Sequence, residues 1–577
     1  MTCPPVSPML ATIFDASGIA RELIGVLARE AEALVDGSGM IPAGLVETKV
    51  GLATAYARAL ERLRTMAVPE TEPALAELRA LDARLMAVAR QNLATPAVAS
   101  ASDLETLGTL IDAQPEKVEF RYLRAGILVG LGRGEEAHED YMAVLKKEPT
   151  HFGALTDFGN LLLDTGYRSA ARVAYQCAVA AHPGRSAGHV NLANLLLAGG
   201  QYQVARRHYE IALTLDPALV EAHRGLSYAL LALGDEAGAV AHREPGFRGH
   251  AVLTWPYRGP QTPVSLILLT SAMSGNIPLK HILDNRTFES TVIFTEYLDP
   301  AAPLPPHHLI INTIGDADLC RSGLDAADAV LARSPAPVIN SPAAVRLTGR
   351  LDNARRLGAL PGVIAPRVAL LPRAALGGRE AEALLAGHGI GFPLLLRSPG
   401  FHTGQHFVRV ETPGDLGSAV DPLPGQTLLA MQVLDARNQH GDSHKFRVMF
   451  VDGVLYPLHL AISKHWKVHY FSADMADQPG HRAQEAAFLE DMPAVLGAKA
   501  MTGLENIRRV LGLDYGGMDF ALGPEGDVLL FEANATMVVY RPSAEAKWAY
   551  RRVAAERILA AVRAMVLGRA SGAGGVS

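Results

Sequence analysis

The sequence predicts a multidomain protein in which an all-α solenoid of helix pairs is followed by an α/β unit and then by an α+β domain. Three features predict this order. Prolines recur every 34 residues in the first half, short apolar runs replace the helical pattern after residue 250, and paired strands with acidic side chains are predicted near the end. A chain of 577 residues is also too long for one hydrophobic core.

We expect five segments, whose boundaries follow the changes in pattern. They are an N-terminal helical region at 1–95, the repeats at 96–248, the α/β unit at 249–345, the α+β domain at 346–568 and a flexible tail at 569–577. The first segment has the pattern of amphipathic helices broken by prolines, and no motif in it indicates a chemistry. The glycine-rich end is expected to be mobile.

Composition and charge limit the possible functions. The formal net charge is -6, so the chain has no overall basic field to hold nucleic acid. No apolar stretch approaches the roughly 18 residues of a membrane span, and the first residues lack the pattern of a secretion signal. Three scattered cysteines fit neither a disulfide framework nor a zinc site. We therefore expect a cytoplasmic protein that binds no nucleic acid and no membrane.

The repeat is visible at three kinds of position. The same 34-residue spacing relates prolines, alanines and tyrosines: Pro115, Pro149, Pro183 and Pro217; Ala137, Ala171, Ala205 and Ala239; Tyr141, Tyr175 and Tyr209. Each unit reads helix, turn, helix, and its eighth residue is small. Over about residues 118–245 the pattern resembles the tetratricopeptide repeat. The periodic residues are interpreted as core, and the resemblance implies a peptide or protein partner on the concave face of the array.

After residue 250, three apolar runs of strand length alternate with loops or helices. They are VSLILLT, TVIFTEY and HLIINTI. Buried runs of this kind separated by helical segments predict a small parallel α/β unit.

Near the end, YGGMDFALGPEGDVLLFEANAT reads as a hairpin about the turn 523–526. If Leu522 pairs with Asp527, then Asp519 lies opposite Leu530. Side-chain alternation then assigns two faces, the first with Asp519, Glu532 and Asn534 and the second with Met518, Phe520, Leu529 and Phe531. The first face offers oxygen ligands that suit magnesium, and a solvent-facing acidic surface is the alternative.

These residues resemble the ATP-grasp superfamily, most closely the ribosomal-protein glutamate ligases and glutathione synthetases. The resemblance extends from about residue 262 to 565, so that the α/β unit corresponds to a pre-ATP-grasp domain and the α+β domain to the ATP-grasp domain. It implies that ATP and Mg2+ are bound, with Asp519, Glu532 and Asn534 as the metal ligands.

The resemblance also implies an ATP-binding set in two segments. GFPLLLRSPGFHTGQHFVRV looks like the strand and loop that cover the triphosphate, and TLLAMQVLDAR looks like the hinge whose backbone reads adenine, with an aspartate that could reach the ribose. The implied residues are Arg397, Gly400, Gly404, Met431, Gln432, Val433 and Asp435.

KFRVMFVDGVLYPLHLAIS reads as a second hairpin on the turn 452–453. Lys445 and Arg447 fall on one face, where the family commonly keeps an arginine that meets phosphate or an acyl phosphate. With Lys464 from the basic loop that follows, they are the candidate catalytic residues, and a surface ion pair is the alternative for Arg447. His459 is expected on the opposite face as a satisfied structural histidine.

Two positions depart from the family pattern. Asn353 stands where a phosphate-binding lysine is usual, and Arg397 replaces the second lysine. The leading hypothesis is an ATP-dependent carboxylate-amine ligase that forms an amide or peptide bond through an acyl phosphate, with the repeats recruiting a peptide or protein. The alternative is a tetratricopeptide scaffold with a nucleotide-sensing or inactive ATP-grasp domain.

Overall fold

The computed structural model describes residues 101–572 without 281, 402–404, 439, 469, 471–472 and 543–544, together with six helical positions before residue 60. Apart from those six positions, the predicted helical region 1–95 lies outside the described residues, as does Gly404. The chain divides into two compact units. The first contains Met1–Gly199, Thr214–Asp216 and Pro256–Thr262, and the second contains Gly200–Leu213, Pro217–Trp255 and Pro263–Ser577.

Residues 101–247 of the described chain are helical hairpins. Their helices are α1 (Ala101–Ala113), α2 (Val118–Gly130), α3 (Gly134–Lys147), α4 (Phe152–Asp164), α5 (Arg168–Ala181), α6 (Ser186–Ala198), α7 (Tyr202–Leu215), α8 (Val220–Ala232) and α9 (Glu236–Phe247). The chain between paired helices turns at a glycine with φ between 72° and 90°, at Gly132, Gly166, Gly200 and Gly234. Only glycine adopts this backbone conformation without strain, so the 34-residue period also sets the turns.

The periodic small and aromatic residues form the interior of these helix pairs. Tyr141, Tyr175 and Tyr209 are each at most 1% exposed. At Gly159 an added Cβ would lie 2.4 Å from Cε1 of Tyr175, closer than any side chain allows. The interpretation of these positions as core is therefore confirmed.

The second unit contains a sheet with a parallel centre. Its strands are β1 (Val252–Thr254), β2 (Val264–Thr270), β3 (Phe288–Phe294), β4 (Leu309–Asn312) and β5 (Val338–Ile339), in the order β1-β3-β2-β4-β5. β2 to β5 pair in parallel, and β1 is an antiparallel edge strand. The predicted parallel α/β unit is confirmed. Helix α10 (Arg321–Leu331) lies between β4 and β5, and helices α11 (Pro342–Arg346) and α12 (Arg350–Leu357) follow β5.

A four-stranded antiparallel sheet comes after a short strand, β6 (Val363–Ile364). It consists of β7 (Val368–Pro372), β8 (Leu394–Arg397), β9 (Phe407–Val410) and β10 (Thr427–Gln432), in the order β7-β10-β8-β9. Helices α13 (Arg373–Leu376), α14 (Ala381–Gly387) and α15 (Leu416–Val420) accompany it. Leu394, Leu396 and Leu428 are fully buried in its own hydrophobic cluster.

The last sheet has the order β12-β11-β13-β14-β6. Its long strands are β11 (Ser443–Val451), β12 (Val454–Ser463), β13 (Tyr515–Leu522) and β14 (Val528–Asn534), all antiparallel, while β6 runs parallel to β14. It is accompanied by helices α16 (Pro479–Glu490), α17 (Met492–Leu511) and α18 (Ala549–Ser571). No helix in the described part of the chain is long and apolar enough to span a bilayer.

The hairpin of β13 and β14 exists, but its predicted register is wrong. Leu522 pairs with Val528, because the turn is one residue longer than expected, and a bulge then places Asp519 directly opposite Glu532 instead of Leu530. Asp519, Glu532 and Asn534 keep a common face. On the second face the longer turn replaces Leu529 with Leu530, which pairs with Phe520, and the bulge replaces Phe531 with Ala533, which pairs with Met518.

The second hairpin turns at residues 452–453 as predicted, where Asp452 has φ 47° and Gly453 has φ 84°. The predicted side for His459 is wrong. A bulge next to Pro457 adds one residue to β12, so Arg447 pairs directly with His459 and the two side chains share a face. Proline has no backbone N–H for the ladder, and such irregularities are typical of edge strands like β12.

The predicted flexible tail begins too early. Helix α18 continues to Ser571, beyond the expected end at residue 568. Arg569 explains the extension, since its Nη2 lies 2.8 Å from Oδ1 of Asp452 and 2.9 Å from Oδ1 of Asp514. These ion pairs anchor the last turns of the helix, and residues 573–577 lie outside the described part.

Two glycine substitutions test the packing of the helix pairs. Gly159→Ala is expected to lower the free energy of unfolding of the array by about 1–3 kcal/mol, because the new Cβ overlaps the buried Tyr175 ring. Gly126→Ala, where nothing lies within 4 Å, is expected to raise it by up to about 1 kcal/mol, because alanine favours helix. Hydrogen exchange of α2 to α5 measures both, and equal effects would contradict the close approach at Gly159.

Candidate functional site

A cleft in the second unit is lined by the α/β part, by helix α12 and by both C-terminal sheets. Its charged and amide lining residues include Asp316, Asp318, Arg350, Asn353, Glu532 and Asn534. Its apolar lining residues include Pro366, Val368, Met431, Leu530 and Phe531. Apolar walls with a few convergent polar groups are typical of small-molecule sites.

Three predicted site residues meet in this cleft. Met431 comes from the end of β10, and Glu532 and Asn534 come from the end of β14. They are about a hundred positions apart in sequence, and only the placement of the two sheets brings them together. The cleft therefore joins the predicted base-reading strand to two of the predicted metal ligands.

Asp519 lies beside this face but is covered by cations from β11. Arg447 donates to its carboxylate through Nε at 2.5 Å and Nη2 at 2.7 Å, and Lys445 Nζ donates at 2.9 Å. Only 3% of Asp519 is exposed. Burial by itself would raise the pKa of Asp519, but the charges of Arg447 and Lys445 outweigh that effect and hold the pKa well below its usual range. Asp519 is thus an ionised carboxylate that fixes both cations in the sheet.

Glu532 is held from two directions at the cleft. Arg350 Nη2 lies 3.0 Å from its Oε1, and Asn534 Nδ2 donates to the same oxygen at 2.9 Å. Oδ1 of Asn534 accepts from the backbone N–H and the hydroxyl of Thr536, at 3.0 and 2.8 Å. Glu532 and Asn534 therefore form one rigid acidic corner.

The donor set fits magnesium in part. Among the described residues no group of three or more His, Cys, Asp or Glu side chains is placed to hold a metal ion. Magnesium is commonly held by only one or two carboxylates together with substrate phosphates, so the carboxylate of Glu532 has suitable chemistry, whereas Oδ1 of Asn534 already accepts two hydrogen bonds from Thr536. Both oxygens of Asp519 accept hydrogen bonds from Arg447 and Lys445, so its role as a third ligand stays a prediction.

Arg397 is a buried cation near this corner. It is 8% exposed, its guanidinium donates to the carbonyl of Phe401, and it lies over the ring of Phe407 at 5.8 Å from the centroid. Burial, and secondarily the positive charge of Arg350, lowers the pKa of Arg397 to about 10. A cation in such surroundings is well placed to receive an anion.

The other predicted hinge residues face different partners. Gln432 pairs with Arg367, donating from its backbone N–H at 2.9 Å and accepting at Oε1 at 3.3 Å, and Val433 is half-buried. Asp435 is bonded by Arg437 through both oxygens, at 2.6 and 2.8 Å, and this contact lowers the pKa of Asp435. Its predicted contact with ribose stays a prediction.

Two further predicted residues lie in loops. Gly400 has φ 79°, the conformation that frees a glycine-containing turn to approach a ligand. Lys464 directly follows β12 and is exposed, with its backbone N–H donating to Asp474 at 3.4 Å. Within the described residues its side chain makes no hydrogen bond or ion pair with the Asp519 cluster, so its catalytic role stays a prediction.

Asn353, at the place of the missing lysine, has a structural contact. It is 5% exposed, and its Nδ2 donates to the carbonyl of Ala533 at 2.5 Å, which ties α12 to β14. Its Oδ1 is buried at the cleft without a partner in the described chain. Arg350, one turn earlier on α12, reaches Glu532 instead. We did not predict Arg350, although the i, i+3 spacing from Asn353 indicates a shared helix face.

His459 faces Arg447 and is not fully satisfied. Its ring lies 4.8 Å from that of Tyr470, and its Nε2 is buried without a partner in the described chain, so the expected satisfied histidine is wrong on this point. Burial, and then the charge of Arg447, lowers the pKa of His459 far below its ordinary value. The imidazole is therefore neutral beside the two cations.

Removal of the buried carboxylate tests this cluster. Asp519→Asn is expected to lower the free energy of unfolding by about 3–5 kcal/mol, because Arg447 and Lys445 lose their buried counter-charge. Asp527→Asn, which removes the partly exposed pair with Lys499, is the control and is expected to cost at most about 1 kcal/mol. Denaturant unfolding measures both.

The same pair of variants predicts a pH dependence. The folded-state pKa of Asp519 is depressed, so its contribution to stability is fully present above the unfolded pKa, near roughly 4. Below that pH the unfolded chain takes up a proton while the folded one does not, and the difference between wild type and Asp519→Asn is expected to shrink. A difference that stays constant between pH 6 and pH 3 would contradict the ion pair.

Comparison with known proteins confirms the repeats. A tetratricopeptide-repeat family model matches residues 156–218 and 190–242. No curated protein matches the sequence. Among solved structures, the chain is similar to MamA 41-end from Desulfovibrio magneticus RS-1, with 23% identity and a TM-score of 0.24, over 28% of this chain and 90% of that one.

Two further solved structures are similar to parts of the chain. VanG D-Ala:D-Ser ligase from Enterococcus faecalis shares 14% identity over 46% of this chain and 74% of its own, with a TM-score of 0.31. YrrB, a TPR protein with an unusual peptide-binding site, shares 10% identity over 38% of this chain and 90% of its own, with a TM-score of 0.23. At these TM-scores none of the three structures says what this chain does.

Proposed function

We propose that the second unit is an ATP-grasp ligase, which binds ATP in the cleft and uses it to activate a carboxylate for attack by an amine. One observation carries this proposal: Met431 of the hinge strand lines the same cleft as Glu532 and Asn534. The two antiparallel sheets that flank the cleft, preceded by a parallel α/β unit, support the ATP-grasp architecture.

The lining suits a nucleotide. Val368 and Met431 from the four-stranded sheet, with Leu530 and Phe531 from β14, provide apolar surface for a base. Arg397 is the buried cation for the phosphates, with backbone amides near Gly400 as further donors. A magnesium ion would be held by Glu532 and Asn534, and when bound it would neutralise phosphate charge. Asp519 as a third metal ligand stays a prediction.

Lys445 and Arg447 are the residues we propose for charge stabilisation. Transfer of the γ-phosphate to a substrate carboxylate releases ADP and forms an acyl phosphate, and an amine then displaces phosphate and leaves an amide. In both steps negative charge develops on the reacting groups. Because Asp519 already holds the two cations in position, they need no rearrangement when that charge develops. His459 is neutral, so it adds no further charge beside Lys445 and Arg447.

The tetratricopeptide repeats fit a recruiting role. An array of helix pairs presents an extended concave surface, which suits a peptide or an extended protein segment. We propose that such a partner is brought to the ligase for modification.

A second candidate is a binding scaffold whose ATP-grasp domain senses nucleotide or is inactive. Asn353 favours it, because an uncharged residue tied to Ala533 stands where the family keeps a lysine. The engaged oxygens of Asp519 also favour it. Nucleotide binding without turnover in the presence of candidate acids and amines would select this candidate.

Replacement of Glu532 tests the ligase. Glu532→Gln is expected to lower substrate-dependent ADP release by roughly 10²- to 10³-fold, because the cleft loses its metal-binding charge. Glu525→Gln, an exposed change in the turn of the same hairpin, is the matched control and should retain wild-type rates. ADP release is measured over a panel of acids and amines, and unchanged turnover in Glu532→Gln would refute the metal assignment.

Removal of the main segment of the first unit tests recruitment. Deletion of residues 1–199 stops where the second compact unit begins, so the sheets keep the helices that belong to their unit. We expect at least a ten-fold loss of kcat/KM on the protein or peptide substrate, because the partner is no longer concentrated at the site. Activity on a small amine is expected to persist, and full activity on the large substrate would argue against recruitment.

A further inference from the structure

The ion pair between Arg350 and Glu532 occupies the acidic corner of the cleft. Arg350 Nη2 lies 3.0 Å from Oε1 of Glu532, and the side chains are 22% and 30% exposed. Both residues line the cleft. The carboxylate that we propose for the metal is therefore matched, in this structure, by a cation of the protein itself.

The backbone at Arg350 is fixed from two sides. Its N–H donates to Oδ2 of Asp318 at 3.1 Å, and one turn later Asn353 bonds the carbonyl of Ala533 at 2.5 Å. Helix α12 is thus held against β14 by a short neutral residue. The long side chain of Arg350 extends from this fixed helix to the cleft.

We propose that Arg350 is the phosphate-binding cation of this cleft, in place of the lysine absent at position 353, and that Glu532 pairs with it until nucleotide arrives. This inference rests on the proposed function. On binding, the guanidinium transfers from the carboxylate to a phosphate oxygen, and Glu532 becomes available for the metal. No charge is left unpaired before or after the exchange, which avoids the cost of an isolated charge in a partly buried site.

A second cation, Arg397, stands near Arg350 among the carboxylates of Glu532, Asp316 and Asp318. Arg397 lies close enough for the two guanidinium charges to repel, which contributes to the lowered pKa of Arg397. A phosphate near both would relieve that repulsion. The planar guanidinium also bonds phosphate through two N–H groups, so an arginine can replace a lysine at such a site.

The test compares affinities of the full chain for ATP and for adenosine, each with Mg2+, by isothermal titration calorimetry. Arg350→Met is expected to weaken ATP binding about 10- to 100-fold, the loss typical of one hydrogen bond between charged groups. Adenosine has no phosphate, and its affinity is expected to stay within about two-fold. Arg350→Lys retains the charge and should recover part of the ATP affinity.

Arg355→Met is the matched control on the same helix, because Arg355 is 78% exposed and pairs only locally with Asp352 among the described residues. It should bind ATP like the wild type. If Arg350→Met binds ATP as tightly as the wild type, or weakens adenosine as much as ATP, the inference is overturned while the proposed function stands. If the wild type binds no ATP, the proposed function fails and this inference fails with it.

Discussion

The site depends on one buried carboxylate and the two cations that neutralise it. Asp519 sits in the middle of the last sheet, where an unpaired charge would be prohibitively costly. Lys445 and Arg447, on the neighbouring strand, neutralise the buried carboxylate, and Asp519 in turn holds both cations in position. The polarity of this sheet face follows from that cluster: one strand over, Glu532 stands directly opposite Asp519 and meets its own cation, Arg350.

Two β-bulges decide which side chains belong to this face. One, in β14, brings Glu532 opposite Asp519, and the other, in β12, turns His459 toward Arg447. A bulge costs regular pairing and re-aims the side chains beyond it, and bulges are over-represented next to active sites. In this sheet both lie within the cluster of charged residues, where the direction of each side chain matters most.

Within the second unit, the last helix pair of the array shares a hydrophobic core with the sheets. Phe247, at the end of α9, is fully buried against Phe294, with the ring centroids 4.7 Å apart. Arg224 of α8 lies over both rings, at 5.1 and 4.9 Å from their centroids. Cation–π contacts of this kind gain strength when water is excluded. The last helix pair is therefore packed into the sheet region and is more than a tether to it.

The sequence by itself predicted the features that depend on nearby residues, namely helix pairs, turns and hairpins. The 34-residue period determined the helix pairs and their turns, because each repeat needs a glycine with positive φ and a small residue beneath a tyrosine. The turn at residues 452–453 also followed from local rules, whereas Asp519, Glu532 and Asn534 share a face because the longer turn and the bulge in β14 offset each other. Both hairpins were therefore predictable, together with most of the residues proposed for the site.

Tertiary structure decided what those rules cannot reach. Side-chain alternation assumes an unbroken ladder, so neither bulge could be predicted. For this reason the predicted register at Asp519 and the predicted side of His459 were wrong. Arg350 and Asn353 acquired their roles from distant partners, Glu532 and the carbonyl of Ala533, about 180 residues along the chain. These pairings exist only because helix α12 packs against β14. A local sequence pattern does not specify which distant elements pack together, so it could not predict them.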